Sequence, residues 1–539
     1  METKMRISKR FLVATTALTL SMSAAAHADD NKAFLEQIGS DNSASVDQSL
    51  GNTNQAGGQQ GSSSASGNAM VQNGDDNSLD IVQSGDDNFI GVRRGQGGVN
   101  NGVTQTGDDN SATVTQSSVT NVVNVIEQTT SAGFFGFGAG AGNELSITQS
   151  SVGSVPRTGT LSGDGNLLTA VRQTSTGSVK NRVTVSQNVN VAVGNGYRRN
   201  QIGGSRGQNE SAGLIMENSN LNQGNNGIVQ VGSGNMADLT QDGTHNFIQL
   251  VNQRGSSNQA TATQNGANNM IATIDQDGGI LGGFNNTANV SQSGTDNGRY
   301  GLTLPNAGSV GATSSSVIQN GSENSVTYSA QGDTNEFGFT QIGAFNTVGS
   351  VLVTGSGNQT AGNQVGAANT ITIAPIVGDD NDVGVKQLGA FNQATLELTN
   401  GSDRNALLVD QTDALNNASI FVEGDDNFAS LTQIGTNGFT LSMTGDANNN
   451  TSLSGTFGGN AASVGLTEGV FTQDGFGNSF NGDIAGSNNL MAALQDGNFN
   501  TITASVTGDG NQSAVSQLGS SNTASYTQSG GTNNAGIMQ

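Results

Sequence analysis

The chain has 539 residues, with 42 Asp or Glu against 18 Lys or Arg and a net charge of −24. So few cations make a poor nucleic-acid binder, because phosphate contacts need Lys and Arg, and the absence of Cys excludes disulfide frameworks, Cys-type zinc sites and thiol catalysis. With 79 Gly and only 33% hydrophobic residues, the composition suits a long, polar, Gly-rich array rather than a thick apolar core.

Residues 1–28 read as a signal peptide. Lys4, Arg6, Lys9 and Arg10 form a basic head, Phe11 to Met22 an apolar run, and Ala26-His27-Ala28 the small-x-small pattern of a cleavage site. The run is short for a bilayer span, and no later segment approaches 18 consecutive apolar residues. The expectation is an exported chain that passes through the periplasm and carries no membrane insertion.

Beyond this leader the chain keeps an eleven-residue clock of Gly-x-x-Asn. Residues 29–130 show it at Gly74/Asn77, Gly85/Asn88 and Gly107/Asn110. Residues 131–231 are irregular: 131–142 form a Gly/Phe-rich insertion containing Phe134, Phe135 and Phe137, and later beats such as Gly163/Asn166 are unevenly spaced. Residues 232–539 resume the clock. Near the end Asn478, Asn489, Asn500, Asn511, Asn522 and Asn533 follow one another at a spacing of 11, each three residues after Gly475, Gly486, Gly497, Gly508, Gly519 and Gly530. Two positions before each Gly, an amide alternates with a residue lacking one: Gln473, Ile484, Gln495, Val506, Gln517, until Gln528 breaks the alternation. The true unit is therefore about 22 residues, built of two similar halves.

Each half reads as one strand and one turn. From Asn110 the inward positions are Ala112, Val114 and Gln116; from Asn500 they are Ile502, Ala504 and Val506. The residues between are polar, which is the period-two alternation of a strand with one buried face. Links such as Gly74-Asp75-Asp76 use residues that tolerate positive φ. The predicted fold is all-β, a β-solenoid of strand-turn-strand-turn repeats in cross-β, amyloid-like stacking. The six Asn above, with Gln473, Gln495, Gln517 and Gln528, are the expected amide ladder, each amide partnered in the next rung so that burial costs no hydrogen bond.

The first strand would be Asn31, Ala33, Leu35 and Gln37, and the last Asn533, Ala535, Ile537 and Gln539. Neither end shows the atypical repeat that covers a monomeric solenoid. An uncovered strand edge templates another copy, so the expectation is end-to-end self-assembly.

The half-repeat Gln-x-Gly-x-x-Asn-x-Ala-x-x-x-Gln, met by Gln37 to Gln48, Gln105 to Gln116 and Gln517 to Gln528, resembles the curlin repeat of curli subunits, and looser copies cover most of the array. The resemblance implies a secreted functional amyloid that builds extracellular fibres for biofilm matrix and adhesion. It also implies a nucleator subunit and an outer-membrane curli secretion channel as partners. The chain would be an unusually long member, and its array begins almost at the predicted cleavage site.

A competing reading is a monomeric β-solenoid adhesin or a Ca²⁺-dependent surface-binding module, drawn from the Gly-Asp-Asp-Asn turns at Gly74, Gly85, Gly107, Gly378 and Gly424. Ca²⁺-binding β-rolls repeat every nine residues, whereas the clock here is 11, so no metal or cofactor is expected. Enzymatic function is not expected either: His245 is the one histidine after the leader, and no nucleophile-base pair stands out. A glycan-processing β-helix enzyme would need a clustered carboxylate pair on one face.

Overall fold

A computed structural model describes residues 30–59, 69–92, 102–131, 140–151, 165–189, 200–204, 227–277, 283–398 and 401–539. The predicted signal peptide and the loop at 134–137 lie outside the described residues. The chain divides into two compact units, Met1–Asn235 and Met236–Gln539. Both are built almost entirely of parallel β-strands.

In the first unit the Asn110 half-repeat becomes the strand Ser111–Ser117, which buries Ala112, Val114 and Gln116 and leaves the Ser and Thr between them partly exposed. It lies between Ser78–Ser84 and Asn143–Ser151, placing Val114 on Ile81 and Ile147, and Gln116 on Gln83 and Gln149. Asn181–Val189 extends the line by another rung. Described parts of the irregular 131–231 stretch thus carry rungs of the same stack, its extra residues falling between strands in sequence.

The second unit is more regular. Glu336–Ala344, Gln359–Ala367, Asp382–Ala390 and Ala406–Ala414 pair residue for residue without a shift. The period of the sequence explains this: equivalent positions carry equivalent side chains, and any other register would turn the buried set outward. The core is a thin column of aliphatic and amide side chains. It is thickened where Tyr328, Phe337 and Phe339 stack with ring centroids 4.7–6.4 Å apart, and where Phe439, Phe471 and Phe480 do so at 4.8–5.4 Å. No helix among the described residues is long and apolar enough to cross a membrane.

One feature departs from the expectation that 232–539 is repeats throughout. Short helices, Pro305–Ser309, Thr451–Ser454 and Gly459–Ser463, lie in two excursions that strap the outer face of the stack. The strands beneath hold the straps by side-chain acceptors at the first position after the ladder Asn. Gln359 accepts from the N–H groups of Thr303 and Leu304, both at 2.7 Å. The two carboxylate oxygens of Asp382 accept from Asn306 and Ala307 at 2.8 and 2.7 Å, satisfying helix N–H groups that lack an intrahelical partner. The second strap is held the same way, Gly458 donating to Gln512 at 2.7 Å and Ala461 to Asn534 at 2.8 Å. Small residues make room beneath: a Cβ on Gly384 would sit 2.4 Å from the Asn306 carbonyl, and one on Gly536 would sit 2.1 Å from that of Asn460.

Glu336, on the rung above Gln359, accepts from the Tyr300 N–H at 2.6 Å, and its Oε2 has no partner. Burial pushes this carboxyl up to about 7, against the pull of the surrounding backbone donors. The unfolded group releases its proton near 4.5, so between there and about 7 the folded chain binds more protons and stability falls as pH rises. Asp382 is raised in the same direction by burial. Glu336→Gln is therefore expected to shrink this slope without abolishing it, and to be the more stable protein above pH 7 by up to roughly 3 kcal/mol. Urea midpoints taken across the window measure it; parallel pH profiles for the two proteins would refute it.

Candidate functional site

The repeated chemistry sits at the start of each strand, where a buried Asn joins one rung to its neighbours. Asn369 is typical. Its backbone N–H donates to Asn346 Oδ1 at 3.2 Å, and its Nδ2 donates to the Gly389 carbonyl at 2.9 Å. Its own Oδ1 accepts the Asn392 N–H at 3.1 Å. A side chain here needs an acceptor and a donor on two separate atoms at short reach, which Asn supplies; ionised Asp lacks the donor and Ser has only one atom for both. The glycine three residues earlier offers its carbonyl to the neighbouring rung's Asn and holds a positive φ, +126 at Gly366.

Gln works in two directions at once. Gln364 Nε2 donates to Gln387 Oε1 at 2.9 Å along the stack, and to the Thr347 carbonyl at 3.1 Å across the core of its own rung. Gln ladders therefore tie rung to rung and also strand to opposite strand. In the first unit one runs Gln37, Gln72, Gln105, Gln128, Gln173, Gln230, every link 2.7–3.0 Å long.

The residues singled out near the C-terminus fall into these lines. Asn478, Asn500 and Asn522 form one ladder and Asn489, Asn511 and Asn533 another, each N–H donating to the preceding Oδ1 at 2.9–3.0 Å. Gln473, Gln495, Gln517 and Gln539 form a third, at 2.7–3.1 Å. Gly475, Gly486, Gly497 and Gly508 abut the next rung so closely that a Cβ would lie 1.9–2.5 Å from a carbonyl oxygen. Gly519 and Gly530 have nothing nearer than 3.9 Å. Gln528 does not join the Gln ladder, a correction to its expected place. Its strand, Thr523–Ser529, pairs with Thr501–Thr507, so it stacks on Val506 and its Oε1 lacks a partner. Alternate half-repeats form separate columns, and Gln528 ends the aliphatic one.

At the other end Asn31 Oδ1 accepts the Asn54 N–H at 2.9 Å, Gln37 donates to Gln72, and Ala33 and Leu35 pair with Ala56 and Met70. Ala535 and Ile537 pair with Ser513 and Val515. Among the described residues, Leu35–Ile38, Thr523–Ser529 and Asn534–Met538 each pair on one side only.

A further ladder lay unread in the sequence, two residues before the ladder Asn, most often just after a turn Gly. Ser356 N–H donates to Asp379 at 2.7 Å, Asp379 to Asp403 at 2.8 Å, Asp403 to Asp425 and Asp425 to Asp446 at 2.9 Å. The recurrent Gly-Asp pairs were its signal. These acids satisfy turn N–H groups, and Arg404 approaches two of them, Asp425 at 3.8 Å and Asp403 at 4.0 Å, while bonding the neighbouring Asp426 through two nitrogens at 2.8 Å. Among the described residues no group of three or more His, Cys, Asp or Glu could hold a metal ion.

Fold and ladders together define a parallel β-solenoid whose rungs are joined by buried Asn and Gln. Within it, residues 74–117, which contain Asn77, Gln83, Asn88, Gln105, Asn110 and Gln116, match the family model of the curlin associated repeat. The match supports a curlin-type assignment for the repeat in that segment. No curated protein matches the chain.

Proposed function

We propose that this chain is a secreted structural subunit that polymerises into extracellular, curli-like amyloid fibres serving biofilm matrix and surface adhesion. One observation carries the reading. Every rung presents the next with the same in-register row of strand groups, Asn Oδ1 acceptors and Gln Nε2 donors, so a rung of a second copy fits as well as one of the same chain. On this reading the partners are further copies, a nucleator subunit and an outer-membrane secretion channel, and the acidic turns delay assembly during export.

Denatured protein lacking residues 1–28, diluted with and without preformed seeds and followed by thioflavin-T fluorescence, tests it. The expected result is a lag abolished by seeds, and fibres with a meridional reflection at about 4.7–4.8 Å. Refolding to a β-rich species that stays monodisperse would overturn it in favour of a monomeric adhesin. Because aspartates stack rung upon rung, the unseeded lag is also expected to shorten in about 1 M salt, where the screening length is about 3 Å. A lag independent of salt would show that turn charge does not govern assembly.

A further inference from the structure

The two edges of the second unit's stack have opposite chemistry. On one, the turns carry Asp379, Asp380, Asp403, Asp425, Asp426 and Asp446. On the other, the turns at 341–346, 364–369, 387–392, 411–416 and 433–437 hold a single ionisable residue, Asp413. Consecutive Gln-ladder bonds put these five turns on successive rungs, with the turns at 473–478, 495–500 and 517–522 following in the same line.

The residue just before the ladder Asn is held in the left-handed region in each of these turns except 433–437. On the acidic edge Thr334, Asp380 and Asp426 occupy it, residues that suit solvent. On the other edge Phe345 (φ 59°), Phe391 (φ 55°), Leu415 (φ 60°) and Phe499 (φ 55°) do so, each more than half exposed. A bulky apolar residue at positive φ costs about 1–2 kcal/mol, and here more than half of its surface stays exposed, even at Phe499, whose ring meets Phe476 at 5.6 Å. Four such choices along one line, each locally unfavourable, need a compensation from outside the chain.

We propose that this edge pairs side by side with the same edge of a second copy. Charge favours that occupant. A chain of net −24 repels its own kind least where carboxylates are sparsest, and the eight turns of this line carry only Asp413, Asp474 and Asp496. Shape agrees: Phe345 and Phe391 flank Ala368 on the rung between, giving a knob-hole-knob row that interdigitates with its own copy shifted by one rung, about 4.8 Å. With Phe476, Ile342, Ile434 and Leu518 on the same edge, the exposed apolar side chain amounts to roughly 800 Å² per copy, the area each partner gives to a stable interface. This pairing is lateral and independent of end-to-end growth.

The test is the quadruple variant Phe345→Asn, Phe391→Asn, Leu415→Asn, Phe499→Asn. Asn adopts the left-handed region readily, so the fold is kept. Sedimentation of freshly refolded soluble protein reads pairing before any fibre forms, and negative-stain microscopy reads it in fibres. The wild type is expected to sediment as a dimer and form paired filaments. The variant is expected to be monomeric and form single filaments that elongate from seeds at the wild-type rate. Thr334→Asn, Asp380→Asn, Asp426→Asn, on the opposite edge, should leave pairing intact. Pairing that survives the quadruple substitution overturns the proposal. So does a wild type that stays unpaired in both assays, or one that is unpaired yet retained on insoluble β-glucan through the same four residues.

Discussion

Gly366→Ala is expected to unfold the central rungs of the second unit, with a stability loss above ~4 kcal/mol. Gly366 holds φ +126°, a conformation L side chains rarely adopt, and an added Cβ would lie 1.8 Å from the Gly389 carbonyl oxygen on the next rung. That oxygen already accepts from Asn369 Nδ2, so the methyl group also dislodges a ladder bond. The strand cannot slide away, because Gly343 and Gly389 meet their own neighbours at 1.9 and 1.8 Å in the same line. Gly438→Ala is the contrast: its Cβ meets nothing within 4 Å, and its cost should stay within ~0.5 kcal/mol. Urea midpoints followed by circular dichroism compare the two. Equal midpoints would mean that the rungs part easily, and the close-stacking argument would fail.

Asn369→Ala should cost about 3–5 kcal/mol, because it leaves the Gly389 carbonyl and the Asn392 N–H buried without their side-chain partner. The ladder is expected to behave as a unit. In Asn369→Ala/Asn392→Ala the second substitution should cost less than the first, since part of what Asn392 contributes has already been lost. Strictly additive losses would show each Asn acting alone. The second Gln column carries the same lesson: Gln292 gives way to Ala330, then Val353 and Ile376, so the chain replaces amides by aliphatics in a run. A lone Val353→Gln would bury an amide between Ala330 and Ile376 with no ladder partner, and should be destabilising for that reason.

Most of the stack is legible in the chain because its signals are local. The alternation that turns Ala112, Val114 and Gln116 inward spans five residues, and the Gly-x-x-Asn clock marks most turns. Since the pattern repeats, the pairing register follows from it: Gln364 can only meet Gln341 and Gln387 if every other inward residue is to stay inward. Gln528 shows where reading by residue type stops. It carries the ladder's amide, yet its column is decided by which strands alternate beneath one another.

The sequence by itself determined the rung: its strands, its turns, its buried amides and its in-register stacking, because each depends on neighbours in the chain and on a period that repeats. The tertiary structure alone decided what lies on the outside of the rungs. The straps at Pro305–Ser309 and Gly459–Ser463 are held by acceptors up to 76 residues away, on Gln359, Asp382, Gln512 and Asn534, at strand positions that elsewhere face solvent. No local pattern marks a solvent-facing Asp as the cap of a distant helix. The segregation of Phe345 and Phe391 from Asp380 and Asp426 emerges the same way, since residues 23 to 46 positions apart become neighbours along one edge only after the chain has wound.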